Sequence, residues 1–159
     1  MFTSLASIRN NLQAQGFCGL DDRTYAQINY PLRLAPALCM LWAAVGTVLA
    51  SPTILWALAP LAALGAVLRG HPFDVLYNYG LRHLTGAPPL PSYGGRRRIA
   101  CAFATALIVT AAWCVQAGMP IAGQIAGWAL VAGTFLNVST GICGPAVIAR
   151  IFLGKVVCT

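Results

Sequence analysis

Four uninterrupted apolar runs dominate the pattern of hydrophobic and polar positions along the chain. The runs cover residues 34–50, 53–68, 99–118 and 121–140, and none of them contains Lys, Arg, Asp or Glu. A helix that crosses a membrane needs ~20 apolar residues. The last two runs reach that length, and the first two approach it if each borrows a turn from its flank, residues 31–33 and 69–70. The pattern therefore predicts four transmembrane helices in two hairpins.

The segment between the two hairpins carries most of the polar chemistry and has an amphipathic pattern. Apolar residues recur there at helical spacing on one face: Phe73, Leu76, Tyr77, Gly80, Leu81 and Leu84. Asp74, Asn78 and Arg82 follow one another at i, i+4 spacing on another face. We predict that residues 73–84 form a helix in the membrane interface, with its apolar face packed on the bundle. Asp74, Asn78 and Arg82 would then face water or a partner protein.

Shorter amphipathic segments stand at both ends of the chain. In the N-terminal arm, residues 1–30, apolar residues at steps of three and four predict a short helix lying at the membrane surface. After the fourth run, the sequence "GICGPAV" interrupts the helix, because Gly141 and Gly144 free the backbone and Pro145 suits the first turn of a new helix. Residues 146–153 then predict a short C-terminal interfacial helix.

The fourth run contains one amide side chain, Asn137, which lies on the same face as Gly141. Because lipid would leave this amide unsatisfied, we predict that Asn137 bonds to backbone groups freed where the helix ends. The amide and the residues that follow it, Gly141, Cys143, Gly144 and Pro145, would form a structural joint.

Small residues and histidines suggest packing roles. Gly123 and Gly127 form a GxxxG motif, which predicts close helix contact inside the bundle. His71 and His83 stand near opposite ends of the predicted middle helix, so one short helix cannot bring both to a single metal ion. We predict that both histidines cap helices or bond at an interface.

Composition and charge agree with a membrane location. Only 8% of the residues are charged and 58% are hydrophobic, whereas soluble domains contain about 25% charged residues. All ten basic residues lie before the first run, between the second and third, or after the fourth. The positive-inside rule therefore places both termini and the middle loop in the cytoplasm. The net charge of +7 predicts contact with anionic lipids at that surface, and without a recognisable motif we predict no nucleic-acid binding.

These patterns together predict an all-α integral membrane protein with four transmembrane helices in two hairpins. An interfacial amphipathic helix occupies the middle cytoplasmic loop, and a short interfacial helix lies near the C-terminus. The expected organisation is a cytoplasmic arm at residues 1–30, a membrane domain at residues 31–155 and a tail at residues 156–159.

The six cysteines show neither a CxxC pair nor zinc-ligand spacing. Three lie within apolar runs and three on the predicted cytoplasmic side: Cys39, Cys101 and Cys114, then Cys18, Cys143 and Cys158. A thiol relay centred on Cys143 would need Cys18 or Cys158 within disulfide range. We predict no metal site and no resident cofactor.

Several stretches resemble a family of bacterial membrane proteins. "HPFDVLYNYGLRHLTG", the Pro-rich link after it, the basic entry to the third run and "NVSTGICG" are similar to the family filed as domain of unknown function 4395. The likeness extends from Pro31 to Lys155, and its most specific parts are His71 to Asp74, Asn137 and Cys143-Gly144. The resemblance implies a compact four-span protein of the bacterial inner membrane without implying an activity. The commoner family pattern has two neighbouring cysteines after the fourth span, and here only Cys143 is present.

Three functions are compatible with the sequence. The first is a non-catalytic accessory subunit of a larger energy-transducing, respiratory or photosynthetic complex, which would contact other membrane subunits. Its support is the small size, the minimal outer turns and the lack of charged residues within the runs, since transporters and pumps use intramembrane ionisable groups. The alternatives are a membrane thiol enzyme or relay centred on Cys143, and a small protein that binds a lipid, quinone or pigment. We predict no catalytic residue.

Overall fold

The computed structural model describes residues 4–86 and 88–153, and for residues 84, 85 and 149–153 it describes the backbone alone. The α-helices are α1 (Leu5–Ala14), α2 (Asp22–Ile28), α3 (Leu34–Val48), α4 (Pro52–Val67), α5 (Pro72–Leu76), α6 (Arg82–Thr85), α7 (Gly95–Gln116), α8 (Pro120–Thr140) and α9 (Gly144–Leu153). A 3₁₀ turn at Pro31–Arg33 leads into α3, and a π-helical turn at Tyr77–Leu81 joins α5 to α6. The predicted all-α class is confirmed for the described part of the chain.

Three helical segments are long and apolar enough to cross a membrane: Pro31–Val48, Gly95–Gln116 and Pro120–Thr140. A fourth exists if Pro52–Val67 and Pro72–Leu81 form one broken span, because the two pieces meet at a bend of 79°. The first apolar run therefore extends into its flank as predicted. The second does not, since α4 ends at Val67 and never reaches residues 69–70.

Four helices form a closed ring, in which α3 and α7 each pack against both α4 and α8. Small residues let the helices approach closely. A Cβ on Gly127 would clash with Thr47 of α3, and one on Gly123 would lie 2.5 Å from a methyl carbon of Val115 on α7. The GxxxG pair thus makes contacts within the chain.

The bend after α4 has a local chemical cause. Leu68 adopts an extended conformation, and His71 then caps α5. The ring nitrogen of His71 accepts a hydrogen bond from the Phe73 amide at 3.3 Å, and the Asp74 carboxylate accepts one from the His71 amide at 3.3 Å. Arg98 satisfies the end of α4 by donating from Nε to the Ala66 carbonyl at 2.8 Å. These contacts pair the Ala66 carbonyl and the amides of His71 and Phe73 at the break.

The middle segment differs from the predicted single amphipathic helix in both shape and orientation. The π-helical turn interrupts it, and Asp74 of its polar side faces the protein, since it is 4% exposed. Of the predicted apolar face, Tyr77 is buried, whereas Leu76 is 62% exposed and Leu81 is exposed as well. The prediction that the apolar face packs on the bundle therefore holds at Tyr77 and was wrong at Leu76 and Leu81. An apolar surround reverses the usual rule, because only protein groups can satisfy a polar side chain there, whereas lipid accepts an apolar one.

The N-terminal arm folds against the rest of the chain. Leu12, Phe17, Tyr25 and Ile28 join one buried cluster with residues of the middle segment. The other members of this cluster are Leu32, Tyr77, Leu90 and Tyr93. The Tyr25 hydroxyl donates to the Phe17 carbonyl at 2.9 Å, which fixes the connection between α1 and α2. The arm thus covers the end of the bundle where α5 and α7 begin.

Candidate functional site

A cavity of about 150 Å³ lies inside the helical ring, toward the end covered by the N-terminal arm. Apolar residues of α3, α4, α7 and α8 form most of its wall. Chemically distinct groups line the rest: His71, Tyr93, Arg97, Thr134, Asn137, Cys39, Cys101 and Cys143. The fold therefore places a compact set of polar groups and thiols against one apolar cavity.

Arg97 is the fixed cation of this site and is 6% exposed. Its guanidinium donates to the Gln15 side-chain oxygen and, at 2.8 Å, to the Leu32 carbonyl. It also lies over the ring of Tyr93 at 5.0 Å and that of Phe17 at 5.8 Å. Two segments distant in sequence thus hold the charge in place, which explains how an arginine is tolerated in the first turn of an apolar helix.

Tyr93 connects this cation to the middle segment. Its side chain interacts electrostatically with both Arg97 and the buried carboxylate of Asp74. Burial raises the pKa of the Tyr93 hydroxyl well above its ordinary value. The phenol therefore stays protonated at physiological pH and remains a hydrogen-bond donor.

His71 reaches the cavity from the bend between α4 and α5. Its Nε2 lies 3.6 Å from the Cys39 sulfur. Since Nδ1 accepts the Phe73 amide hydrogen, the hydrogen-bond pattern assigns the ring proton of the neutral form to Nε2, which points to Cys39. His71 consequently acts as a donor toward Cys39 and is not placed to remove its proton.

Three thiols share the cavity. A Cβ on Gly65 would lie 2.6 Å from His71 Cδ2 and 3.2 Å from Cys101 Sγ, so both side chains pack on that glycine. Cys143 is buried just before α9. A thiol relay centred on Cys143 needs Cys18 or Cys158 within disulfide range; Cys18 does not line the cavity, whereas Cys39 and Cys101 do. Cys158 lies outside the described residues.

Metal binding has no geometric support within residues 4–86 and 88–153. No three His, Cys, Asp or Glu side chains of that part of the chain converge closely enough to hold a metal ion. His71 is occupied as a helix cap, and His83 is exposed and does not line the cavity.

The joint after α8 is built from residues other than Asn137. Arg33 Nη1 donates to the carbonyls of Val138 and Ser139 at 2.8 and 3.2 Å, and the Gln15 amide donates to the Gly141 carbonyl at 2.9 Å. The prediction that Asn137 bonds to these freed groups was therefore wrong. Gly141 does end the helix, with a φ of 74°, and Gly144 begins α9 with Pro145 in its first turn.

Asn137 has a different position. Its side chain lines the cavity and makes no hydrogen bond within the part of the chain that the structure describes. Gly133 and Thr134 lie on the same face one turn earlier and line the cavity as well. The hydroxyl of Thr134 is already bonded to the Leu130 carbonyl at 2.7 Å. Asn137 therefore presents the unsatisfied polar group of this wall.

The predicted water-facing cluster is not formed by Asp74, Asn78 and Arg82. Asp74 is buried, and Asn78 exchanges two hydrogen bonds with the backbone of Leu90, so neither is available to a partner in the way we expected. Arg82 is partly buried.

Sequence reasoning missed Gln15, Arg33, Tyr93 and Arg97, which hold the polar end of the cavity together. Arg97 stands in a run of three arginines, and in the sequence that run contributes only to the positive-inside rule and the family resemblance. Its partner Gln15 lies 82 residues earlier in the chain, so local spacing contains no signal for their contact.

Comparison with known proteins gives a family and no activity. No curated protein and no solved structure matches the chain. A family model does match residues 29–151, starting close to the limit expected from the sequence motifs and ending slightly earlier. That range contains His71, Tyr93, Arg97, Asn137 and Cys143, and it excludes Gln15. The chain belongs to the family described as Domain of unknown function (DUF4395).

Proposed function

We propose that the protein binds a small, mostly apolar molecule taken from the membrane, and that the cavity is its binding site. The observation that carries this proposal is the half-buried amide of Asn137, which makes no hydrogen bond in the described residues and lies in a mostly apolar wall. Leaving an amide without a partner in an apolar medium costs about 1–3 kcal/mol. A ligand with one polar group would remove that cost while its apolar part fills the cavity.

The shape of the cavity supports entry from the lipid. Phe103 of α7 and Gly133 of α8 line the cavity and are also exposed on the outer surface. A membrane-dissolved molecule could thus enter between α7 and α8 without crossing the polar end. Water-soluble ligands would have to pass the arm, which packs over that end.

The proposal includes four spans, with the bent pair α4 and α5 as the second, and cytoplasmic termini in a bacterial inner membrane. Its support is the basic residues near the polar end of the cavity, among them Arg33, Arg97 and Arg98. Membership in a larger membrane complex, which the sequence also suggested, stays a prediction and is compatible with ligand binding.

The proposal is tested by identifying the small molecules that remain bound to the purified protein. The protein is isolated from native membranes in mild detergent, and small molecules retained in stoichiometric amounts are identified by mass spectrometry. The informative variant is Gly133→Leu, because Gly133 lies between Leu130 and Asn137 on the cavity face and a Cβ there would meet no atom within 4 Å. The new side chain should fill cavity space without disturbing the fold.

Ala132→Leu is the matched control, since it adds a similar apolar volume at the preceding residue of α8, which is exposed and does not line the cavity. We expect the wild type and Ala132→Leu to retain the same small molecule and Gly133→Leu to lose it. Retention of nothing specific by the wild type, or equal retention by all three, would refute binding in this cavity.

A further inference from the structure

We infer that the ligand carries a single-ring quinone head, bound by its carbonyl oxygen at the polar end of the cavity with its tail leaving between α7 and α8. This inference rests on the proposed function and names the ligand class for the same site. It follows from the size of the cavity, the hydrogen-bonding character of its polar end and the position of its opening.

Size selects the head group. A cavity of about 150 Å³ is comparable to engineered apolar cavities of roughly that volume that bind one benzene ring. A single six-membered ring therefore fits wholly inside, whereas a fused two-ring head or the head group of a phospholipid would extend into the opening between α7 and α8. The predominantly apolar lining also suits a flat, weakly hydrated ring better than a cluster of water molecules.

The polar end supplies donors and has little need of an anion. The Asn137 amide can donate and the Arg97 guanidinium adds positive potential, whereas the Tyr93 hydroxyl is engaged with the Asp74 carboxylate. Arg97 already interacts with Tyr93 and Asp74 and bonds to Gln15 and Leu32. A neutral carbonyl acceptor therefore matches this end better than a phosphate or carboxylate, whose charge would have to be desolvated beside Asp74.

The opening is consistent with a long apolar tail. Because Phe103 and Gly133 are both cavity-lining and exposed, a substituent on the ring can pass between α7 and α8 into lipid. Binding then requires only the ring to be enclosed, so a short-chain or tail-less quinone is a valid probe of the site.

The thiols of the cavity determine which probe is used. Quinones with a hydrogen on the ring add thiols covalently, and Cys39, Cys101 and Cys143 line the wall. Tetramethyl-1,4-benzoquinone has no such ring position, so it measures reversible binding. Tetramethylbenzene keeps the ring and methyl groups without carbonyls, and 2,3-dimethyl-1,4-naphthoquinone keeps the carbonyls with a second ring.

Binding of the three probes is measured by equilibrium partition to the purified, delipidated protein in detergent, with empty micelles as background. We expect tetramethylbenzoquinone to bind wild type and Ala132→Leu, and to show no saturable binding to Gly133→Leu. Asn137→Leu should bind it about tenfold more weakly while binding tetramethylbenzene at least as well as wild type, because only the hydrogen bond is lost. The naphthoquinone should bind more weakly than the single-ring quinone. Thermal unfolding of each variant without ligand verifies that its fold is intact.

The outcomes separate this inference from the proposed function. Equal binding of tetramethylbenzene and tetramethylbenzoquinone, both abolished by Gly133→Leu, would leave an apolar binding site and refute the quinone head. Equal or tighter binding of the naphthoquinone would refute the single-ring limit. Absence of specific binding by any probe, while extraction still yields a molecule lost in Gly133→Leu, would overturn only the ligand class. Absence of both would overturn the proposed function as well.

Discussion

Asn78 and Leu90 exchange two hydrogen bonds between a side chain and a backbone segment. The Leu90 amide donates to Asn78 Oδ1 at 2.8 Å, and Asn78 Nδ2 donates to the Leu90 carbonyl at 3.4 Å. The contact fastens the Pro-rich connector to the π-helical turn. It thereby positions Tyr93, three residues beyond Leu90, at the cavity.

Replacing this clamp should loosen the connector. We expect Asn78→Leu to lower the free energy of unfolding by about 1–3 kcal/mol, because two hydrogen bonds are lost and the partly buried Leu90 amide is left unpaired. Thermal unfolding in detergent measures the effect. Tyr79→Phe is the control, since Tyr79 is on the same turn and largely exposed. Equal stability of the two variants would mean that the clamp contributes nothing.

The burial of Asp74 and the exposure of Leu76 in α5 lead to opposite predictions for substitutions at these two residues. Asp74→Ala removes the acceptor for the His71 amide and the partner of Tyr93, so we expect a loss of about 1–3 kcal/mol. Leu76→Ala should change stability by less than about 0.5 kcal/mol, because Leu76 contacts the surroundings and not the bundle. A larger loss for Leu76→Ala, measured by the same unfolding assay, would restore the original assignment of faces.

Gln15 joins the arm to two parts of the bundle at once. Its oxygen accepts from Arg97 and its amide donates to the Gly141 carbonyl. Gln15→Leu should destabilise the protein by about 2–4 kcal/mol, because the buried Arg97 guanidinium loses an acceptor and the Gly141 carbonyl loses its donor. Gln13→Leu, in the last turn of α1 just before Gln15 and without a side-chain bond in the described residues, should have little effect. Similar limited-proteolysis rates of the arm in both variants would argue against this role for Gln15.

Apolar surroundings explain why some features of the structure were predictable from the sequence and others were not. The long apolar helices were predictable, because a span in lipid must be helical and free of charges. Pro52 and Pro120 begin helices as expected, since the first residue of a helix needs no amide hydrogen. The face that residues 73–84 expose was not predictable, since the amphipathic rule assumes that water surrounds the polar side. Asn137 was assigned to the helix end by proximity in sequence. Arg33 occupies that role through the contact of α3 with α8, which no local pattern encodes.

Cysteine labelling tests the proposed four-span topology. With the bent pair as one span, residues 51 and 119 lie on the outer side and residue 95 on the inner side. An impermeant thiol reagent applied to right-side-out membranes should therefore label Ser51→Cys and Met119→Cys above the level of the parent protein. Gly95→Cys, where an added Cβ would meet nothing within 4 Å, should react only after permeabilisation. A three-span chain would instead put residues 51 and 95 on the same side and residue 119 opposite.

Tyr93 should give the protein a distinct loss of stability at alkaline pH. Burial raises the pKa of its hydroxyl, so the folded state keeps the proton above about pH 10, where an unfolded tyrosine releases it. The unfolded state then binds fewer protons than the folded state, and stability falls as pH rises through that range, by at most about 1.4 kcal/mol per pH unit.

Unfolding midpoints measured between about pH 9 and 11 should fall less steeply for Tyr93→Phe than for wild type. Tyr79→Phe, at an exposed tyrosine, should retain the wild-type slope. Parallel profiles for wild type and Tyr93→Phe would show that the Tyr93 hydroxyl titrates as it does in the unfolded chain, and would remove its support as a protonated donor in the cavity.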